Sequence, residues 1–207
     1  MIRIICLLLA LAAASTSFAQ YADPRSSQVE FFKEDVTMTV TDSTSAVSGV
    51  YYFRNNTEKD RPFTVMFPFY VDDAISFPHE IRAYTIDEGD TLAIGTEVLD
   101  SLNSVRMSIP MKPKEVTVWY LDYTQRIESD YATYILTTTH AWGKPLQEAD
   151  FRFIIPTNFS ILEIWPKAQG VRRVKGASEG EPAHLELTSH QTDFMPLQNM
   201  KITWDKE

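Results

Sequence analysis

Ala46-Val-Ser-Gly-Val-Tyr-Tyr-Phe-Arg54 is followed by Asn55-Asn-Thr-Glu-Lys-Asp60 and then by Phe63-Thr-Val-Met-Phe-Pro68. An apolar run rich in β-branched and aromatic residues meets a polar turn, and a second such run ends at a proline. Branched and aromatic side chains fit a pleated surface, and proline ends a strand because it lacks the ladder N–H. The stretch predicts two strands joined by a short connection. The same grammar recurs outward in both directions. Gln28–Phe32 and Val36–Val40 read as strands, as do Ile81–Ile86 and Thr91–Ile94 around the turn Asp87-Glu88-Gly89-Asp90. Val105–Ile109, Val116–Tyr123, Tyr131–Thr139, Phe151–Ile155, Ile161–Trp165, Ala183–Leu187 and Lys201–Trp204 complete the set. No window of a dozen residues keeps helical apolar spacing without a proline or a β-branched run, and only Asp72–Ile75 and Pro145–Ala149 suit a turn of helix. Strands about every ten residues predict an all-β chain, an antiparallel β-sandwich.

Phe63–Pro68 and Phe151–Pro156 both follow an earlier strand, Val50–Arg54 and Tyr134–Thr139. That echo raises a second arrangement: two tandem docked immunoglobulin-like sandwiches, residues 24–112 and 113–207, divided near Met111–Lys114. Either way residues 20–207 form one packed unit. With 12% aromatic residues, ring burial is the main stabilising resource. Phe53, Phe67, Val118, Tyr120, Phe153 and Ile155 are expected inside, with Val116, Val118 and Tyr120 on one strand face. Gly143 and Pro145 place Trp142 in a turn, its ring capping a sandwich edge.

Residues 1–19 have the form of an export signal: Arg3, a short apolar run from Ile4 to Ala14, and small residues at Ser17 and Ala19 ahead of a cut before Gln20. The sole cysteine, Cys6, lies inside this leader and ahead of most of the apolar run, so a lipoprotein cut there is not expected. The mature chain then has neither thiol nor disulfide, which suits a bacterial exported protein, periplasmic or extracellular. Asn55-Asn56-Thr57 and Asn158-Phe159-Ser160 match the glycosylation pattern by chance in such a chain.

The formal net charge is −9, so phosphate backbones are repelled and nucleic-acid binding is not expected. No later apolar run reaches the roughly 20 residues of a membrane helix. Residues 20–110 hold 15 acids and 7 bases, whereas residues 111–207 hold 13 and 11. The acidic excess therefore sits in the front half.

Common catalytic signatures are missing. There is no glycine-rich phosphate loop and no Gly-x-Ser-x-Gly elbow, and the mature chain has no cysteine nucleophile. His184, Glu186 and His190 are the best spaced metal donors, since His184 and Glu186 share a strand face. Asp72-Asp73 and Asp87-Glu88-Gly89-Asp90 offer oxygens but match no calcium loop. Asp122, Glu128, Asp130, Glu148 and Asp150 could supply paired carboxylates for glycoside hydrolysis. Trp142, His140 and Trp165 are the candidate ligand-binding residues, because exposed rings stack on sugars or peptides. No cofactor is expected.

Val50-Tyr-Tyr-Phe-Arg-Asn-Asn-Thr57 running into Phe63-Thr-Val-Met-Phe-Pro-Phe69, together with Tyr120-Leu-Asp-Tyr123 and Tyr134-Ile-Leu-Thr-Thr-Thr-His-Ala-Trp-Gly-Lys-Pro145, resembles bacterial exported proteins of the DUF4424 type. The resemblance covers about a third of the mature chain and implies a β-rich exported domain without assigned catalytic residues. The expectation is a non-catalytic binding or scaffold protein of the bacterial cell envelope. Its partner would be an envelope protein or a polysaccharide, and sheet edges would allow self-association. A carbohydrate-binding module or an envelope hydrolase is the competing expectation.

Overall fold

In a computed structural model, which describes residues 28–87, 89–176 and 182–206, the regular structure consists almost wholly of strands. They are β1 (Val29–Val40), β2 (Thr44–Asn55), β3 (Arg61–Pro68), β4 (Glu80–Asp87), β5 (Asp90–Ile94), β6 (Thr96–Leu99) and β7 (Ser104–Met111). β8 (Val116–Arg126), β9 (Tyr131–Tyr134), β10 (Leu146–Pro156), β11 (Phe159–Trp165), β12 (Gly170–Val174), β13 (His184–Phe194) and β14 (Met200–Lys206) follow. Short 3₁₀ turns lie at Asp100–Leu102 and Thr137–Trp142. The export signal expected at residues 1–19 lies outside the described residues.

One eight-stranded sheet runs β12-β13-β10-β1-β2-β8-β4-β5, and two three-stranded sheets, β3-β7-β6 and β11-β14-β9, accompany it. The fold is thus the expected all-β sandwich, with one long layer shared by two short ones. Phe67 on β3 meets Tyr51 on β2 and both Trp119 and Tyr123 on β8, so β3 faces the front part of the long sheet. On the other side Trp165 of β11 stacks on Phe194 of β13. Ala132, Tyr134, Met200, Ile202 and Trp204 join Phe151, Phe153 and Leu187 in one continuous core.

Among the described residues every ladder is antiparallel except one: β1 and β10 run parallel, from Lys33 opposite Glu148 to Thr39 opposite Ile154. A parallel pair needs a long crossover, and here the entire front sandwich supplies it. This ladder welds the halves into one sheet. The division expected at 112/113 separates β7 from β8, yet β8 pairs with β2 and β4. The crossing between halves therefore comes after β8. The echoed Phe…Pro strands also fall in different layers, since β3 belongs to a short sheet and β10 to the long one.

Local differences have local causes. Gln28–Phe32 and Val36–Val40 merge into a single β1, because Lys33-Glu34-Asp35 stays extended past a bulge between Phe31 and Lys33. Tyr131–Thr139 is a strand only to Tyr134. Beyond it, Asn199 Oδ1 accepts hydrogen bonds from the Leu136 and Thr137 N–H groups and from the Thr137 hydroxyl, fixing the 3₁₀ turn. Leu146–Ala149 opens β10 instead of forming a helical turn. Gly170–Val174 adds the edge strand β12, and the strand expected at Ala183–Leu187 extends to Phe194.

Candidate binding face

In β8, Trp119, Leu121 and Tyr123 point inward and are 1%, 0% and 3% exposed. Val118 and Tyr120 are half-buried and Val116 is exposed, so the expected inward face is the outward one. Phe53, Phe67, Phe153 and Ile155 are buried as expected. The reversal has a plain cause: both faces of β8 are apolar, and alternation of period two cannot then choose between them.

The outward face of the long sheet is assembled by register. His190, Asp150, Asp35, Val50, Tyr120 and Tyr84 line up across six consecutive strands. At the usual inter-strand spacing that row spans about 24 Å. A second row beside it holds Thr188, Arg152, Thr37, Ser48, Asp122 and Arg82.

The two ends of this face differ chemically. At the β2-β8-β4 end the Tyr84 and Tyr120 rings stack, with centroids 5.0 Å apart and planes 4° from parallel. The Tyr84 hydroxyl donates to Asp122 Oδ2 at 3.3 Å, and Ser48 Oγ donates to Asp122 Oδ1 at 2.7 Å. Arg82 Nη2 lies 3.5 Å from the same carboxylate. Partial burial and then Asp122 push the Tyr84 phenol above its ordinary value, so it remains a neutral donor. Thr37, Thr39, Ala46, Ser48, Glu80, Arg82, Asp122 and Thr124 line an open trough of about 310 Å3 alongside. Its floor is shallow because the side chains from β1 and β2 are small.

At the β1-β10-β13 end, Lys33 Nζ lies 3.0 Å from Glu148 Oε2, 3.8 Å from Asp35 Oδ1 and 4.0 Å from Asp150 Oδ2. The Tyr52 hydroxyl donates to Asp35 at 3.0 Å, and His190 Nδ1 is 2.7 Å from Asp150 Oδ1. Burial raises the Asp35 carboxyl above its usual range; Asp150 adds to the rise, while Tyr52 and Lys33 oppose it. The hydrogen bond to Glu148 raises Lys33, so its charge persists at any physiological pH.

The sequence candidates are dispersed. Glu186 is held by Arg172 Nη2 at 2.5 Å and Arg152 Nε at 2.9 Å, and the Arg172 bond foremost lowers its carboxyl. His190 is engaged with Asp150, and His184 stands at the start of β13 opposite Pro156. His184 lies two residues from Glu186 and acts on its carboxyl, His190 is taken by Asp150 further along β13, and no group of three or more metal-binding donors forms among the described residues. Trp142 packs on Phe31, Phe53 and Phe63 at 5.8, 5.2 and 5.7 Å, capping the core rim as expected. His140 Nε2 lies 2.7 Å from the Pro196 carbonyl, while Trp165 stacks on Phe194 two residues away. The Trp142 ring is thus occupied in the front core, apart from the other two. Of the carboxylates considered for hydrolysis, Glu148 and Asp150 meet beside Lys33, and Asp122 belongs to the tyrosine end.

No family model matches this chain, and no curated protein matches its sequence significantly. Its fold recurs among 135 solved chains, so the architecture by itself assigns no activity. One of them, described as a candidate nutrient binding protein from Legionella pneumophila, is 12% identical with a TM-score of 0.58. The similarity covers 86% of this chain and 67% of that one, and it shows a shared β-sandwich fold. None of the described helices is long and apolar enough to cross a membrane.

Proposed function

We propose that this chain is a non-catalytic binding protein of the bacterial cell envelope that holds an envelope partner against the outward face of its long sheet. The carrying observation is the outward side of β8 and its neighbours. Val50, Tyr52, Val118, Tyr120 and Tyr84 lie where the core does not require them, ringed by Arg82, Asp122, Lys33 and Asp35. Half-buried aromatics inside a charged rim are the composition of protein-recognition surfaces. A sugar platform is less well supported, because Tyr84 and Tyr120 stack on each other and Trp119 and Trp204 are internal. The description of the Legionella protein as a candidate nutrient binding protein is consistent with a binding role. Export behind residues 1–19 belongs to this reading, as does self-association through a sheet edge.

One observation favours an envelope hydrolase as the second reading. Asp150 stands close enough to Asp35 to raise the Asp35 carboxyl, the kind of pairing from which acid–base sites are built. The two lie on an open sheet face, however, where water is not excluded.

The test is retention of envelope proteins by the immobilised protein, comparing wild type with Tyr120→Ser and with the surface change Arg82→Glu. A discrete partner lost in both variants supports the proposal. Equal retention by all three overturns it, and turnover of a glycan that Asp150→Asn abolishes establishes the second reading instead.

A further inference from the structure

Among the described residues the eight-stranded sheet ends in two edges without a further strand, β5 on one side and β12 on the other. Both are five residues long. They carry opposite charge. From the turn before β5 through the start of the following 3₁₀ turn, residues 89–100 contain Asp90, Glu97 and Asp100 and no base. Around β12, residues 167–175 contain Lys167, Arg172, Arg173 and Lys175 and no acid. Asp90, Arg173 and Lys175 make no ion pair among the described residues, whereas Glu97 is engaged by Arg106 and Arg172 by Glu186. Each edge also exposes one large apolar side chain on the same side of the sheet: Leu92, 51% exposed, opposite Thr85, and Val171, 67% exposed, opposite Leu187.

We propose that β12 of one copy adds to β5 of a second copy, continuing the long sheet head to tail. This rests on the edge-association part of the function proposed above. The direction follows from the ladders. Successive antiparallel pairs from β1 make β5 parallel to β1, and the parallel β1–β10 pair followed by two antiparallel ones makes β12 parallel to β1 as well. Copies joined with their inner faces on one side therefore pair β5 and β12 in parallel, with Leu92 and Val171 on the same face of the extended sheet. A twofold contact would set acid against acid or base against base, so charge selects the heterologous arrangement, which does not close by symmetry. Ladders of five residues are short, so the association is weak, concentration-dependent and sensitive to salt.

Analytical ultracentrifugation of the purified protein across a concentration series, in low salt and in about 1 M salt, tests this. Expected is a weight-average mass that at least doubles with concentration at low salt and returns to the monomer at high salt. Arg173→Glu alone and Asp90→Lys alone should each stay monomeric. Mixed, they should associate again, because the native β5 of one chain meets the native β12 of the other and the exchanged charges match at the remaining edges. The double variant in one chain should associate again. Melting curves on each variant show that it is folded. A wild type monomeric throughout, or association indifferent to Arg173→Glu, overturns the inference. Partner retention through Tyr120 and Arg82 is read separately, so the two proposals fail independently.

Discussion

Glu34 sits on the inward side of β1 at 2% exposure, between chemistry that belongs to both halves. Tyr134 of β9 donates to its Oε2 at 3.3 Å, and the Tyr134 hydroxyl lies 3.1 Å from that of Tyr51 on β2. Burial pushes the carboxyl up to about 8 from an ordinary 4.5, while the Tyr134 bond opposes the shift. It is protonated in the fold at neutral pH. Between those two values the folded chain binds more protons than the unfolded chain, so stability declines as pH rises, by up to about 1.4 kcal/mol per unit. Denaturant titrations from pH 5 to 8 should show this decline in wild type and lose most of it in Glu34→Gln, which keeps the neutral shape. Parallel profiles would refute the assignment. Gly49 is fixed by the same network, since a Cβ there would lie 2.5 Å from Cζ of the Tyr51 ring and closer still to its hydroxyl. Gly49→Ala should cost about 1–3 kcal/mol in chemical unfolding by overpacking a filled core. In the sequence, Lys33-Glu34-Asp35 looks like a polar interruption. A buried neutral acid is indistinguishable from an exposed charged one until its neighbours are known.

At the scale of elements, turns and alternation were legible to different degrees. The polar segment after β2 was readable as a turn, but its anchor was not. Asn55 is 0% exposed; its Nδ2 donates to the carbonyls of Lys59 at 2.9 Å and Lys112 at 3.0 Å, and its Oδ1 accepts from the Thr57 N–H and hydroxyl. One side chain thereby joins the β2–β3 turn to the β7–β8 turn. Asn55→Ala should destabilise by about 1–3 kcal/mol through the partners it orphans, measured by urea unfolding. The same burial removes Asn55 as a glycan acceptor in the folded chain, in keeping with a chance match. The β4–β5 hairpin, with Gly89 at φ 92°, follows from local turn chemistry and was readable as a hairpin, although Asp87 and Asp90 pair as strand residues rather than sitting in the turn. The phase of β8 was not, because Val116, Val118 and Tyr120 alternate with residues as apolar as themselves. That ambiguity marks the candidate site: a strand apolar on both sides but packed on only one has a face to spare.

For the whole molecule, composition and strand spacing sufficed for the class, whereas the parallel weld of β1 to β10 is a long-range pairing that no local pattern encodes. Without that weld the outward rows stop at β1. With it they run from His190 to Tyr84 and place a polar, acid-rich end and a tyrosine end on one surface. The candidate residues chosen from sequence were rings and histidines in turns or on β13, and most are committed to packing or ion pairs. The face itself emerges only when register aligns six strands. Photo-crosslinking in the envelope at native expression tests the binding face most directly, with the crosslinker placed either at Tyr84 on the outward rows or at Leu162 on β11 of the opposite layer. A discrete adduct from position 84 and none from position 162 is the predicted result. No adduct at position 84, or the same adduct from both positions, would contradict it.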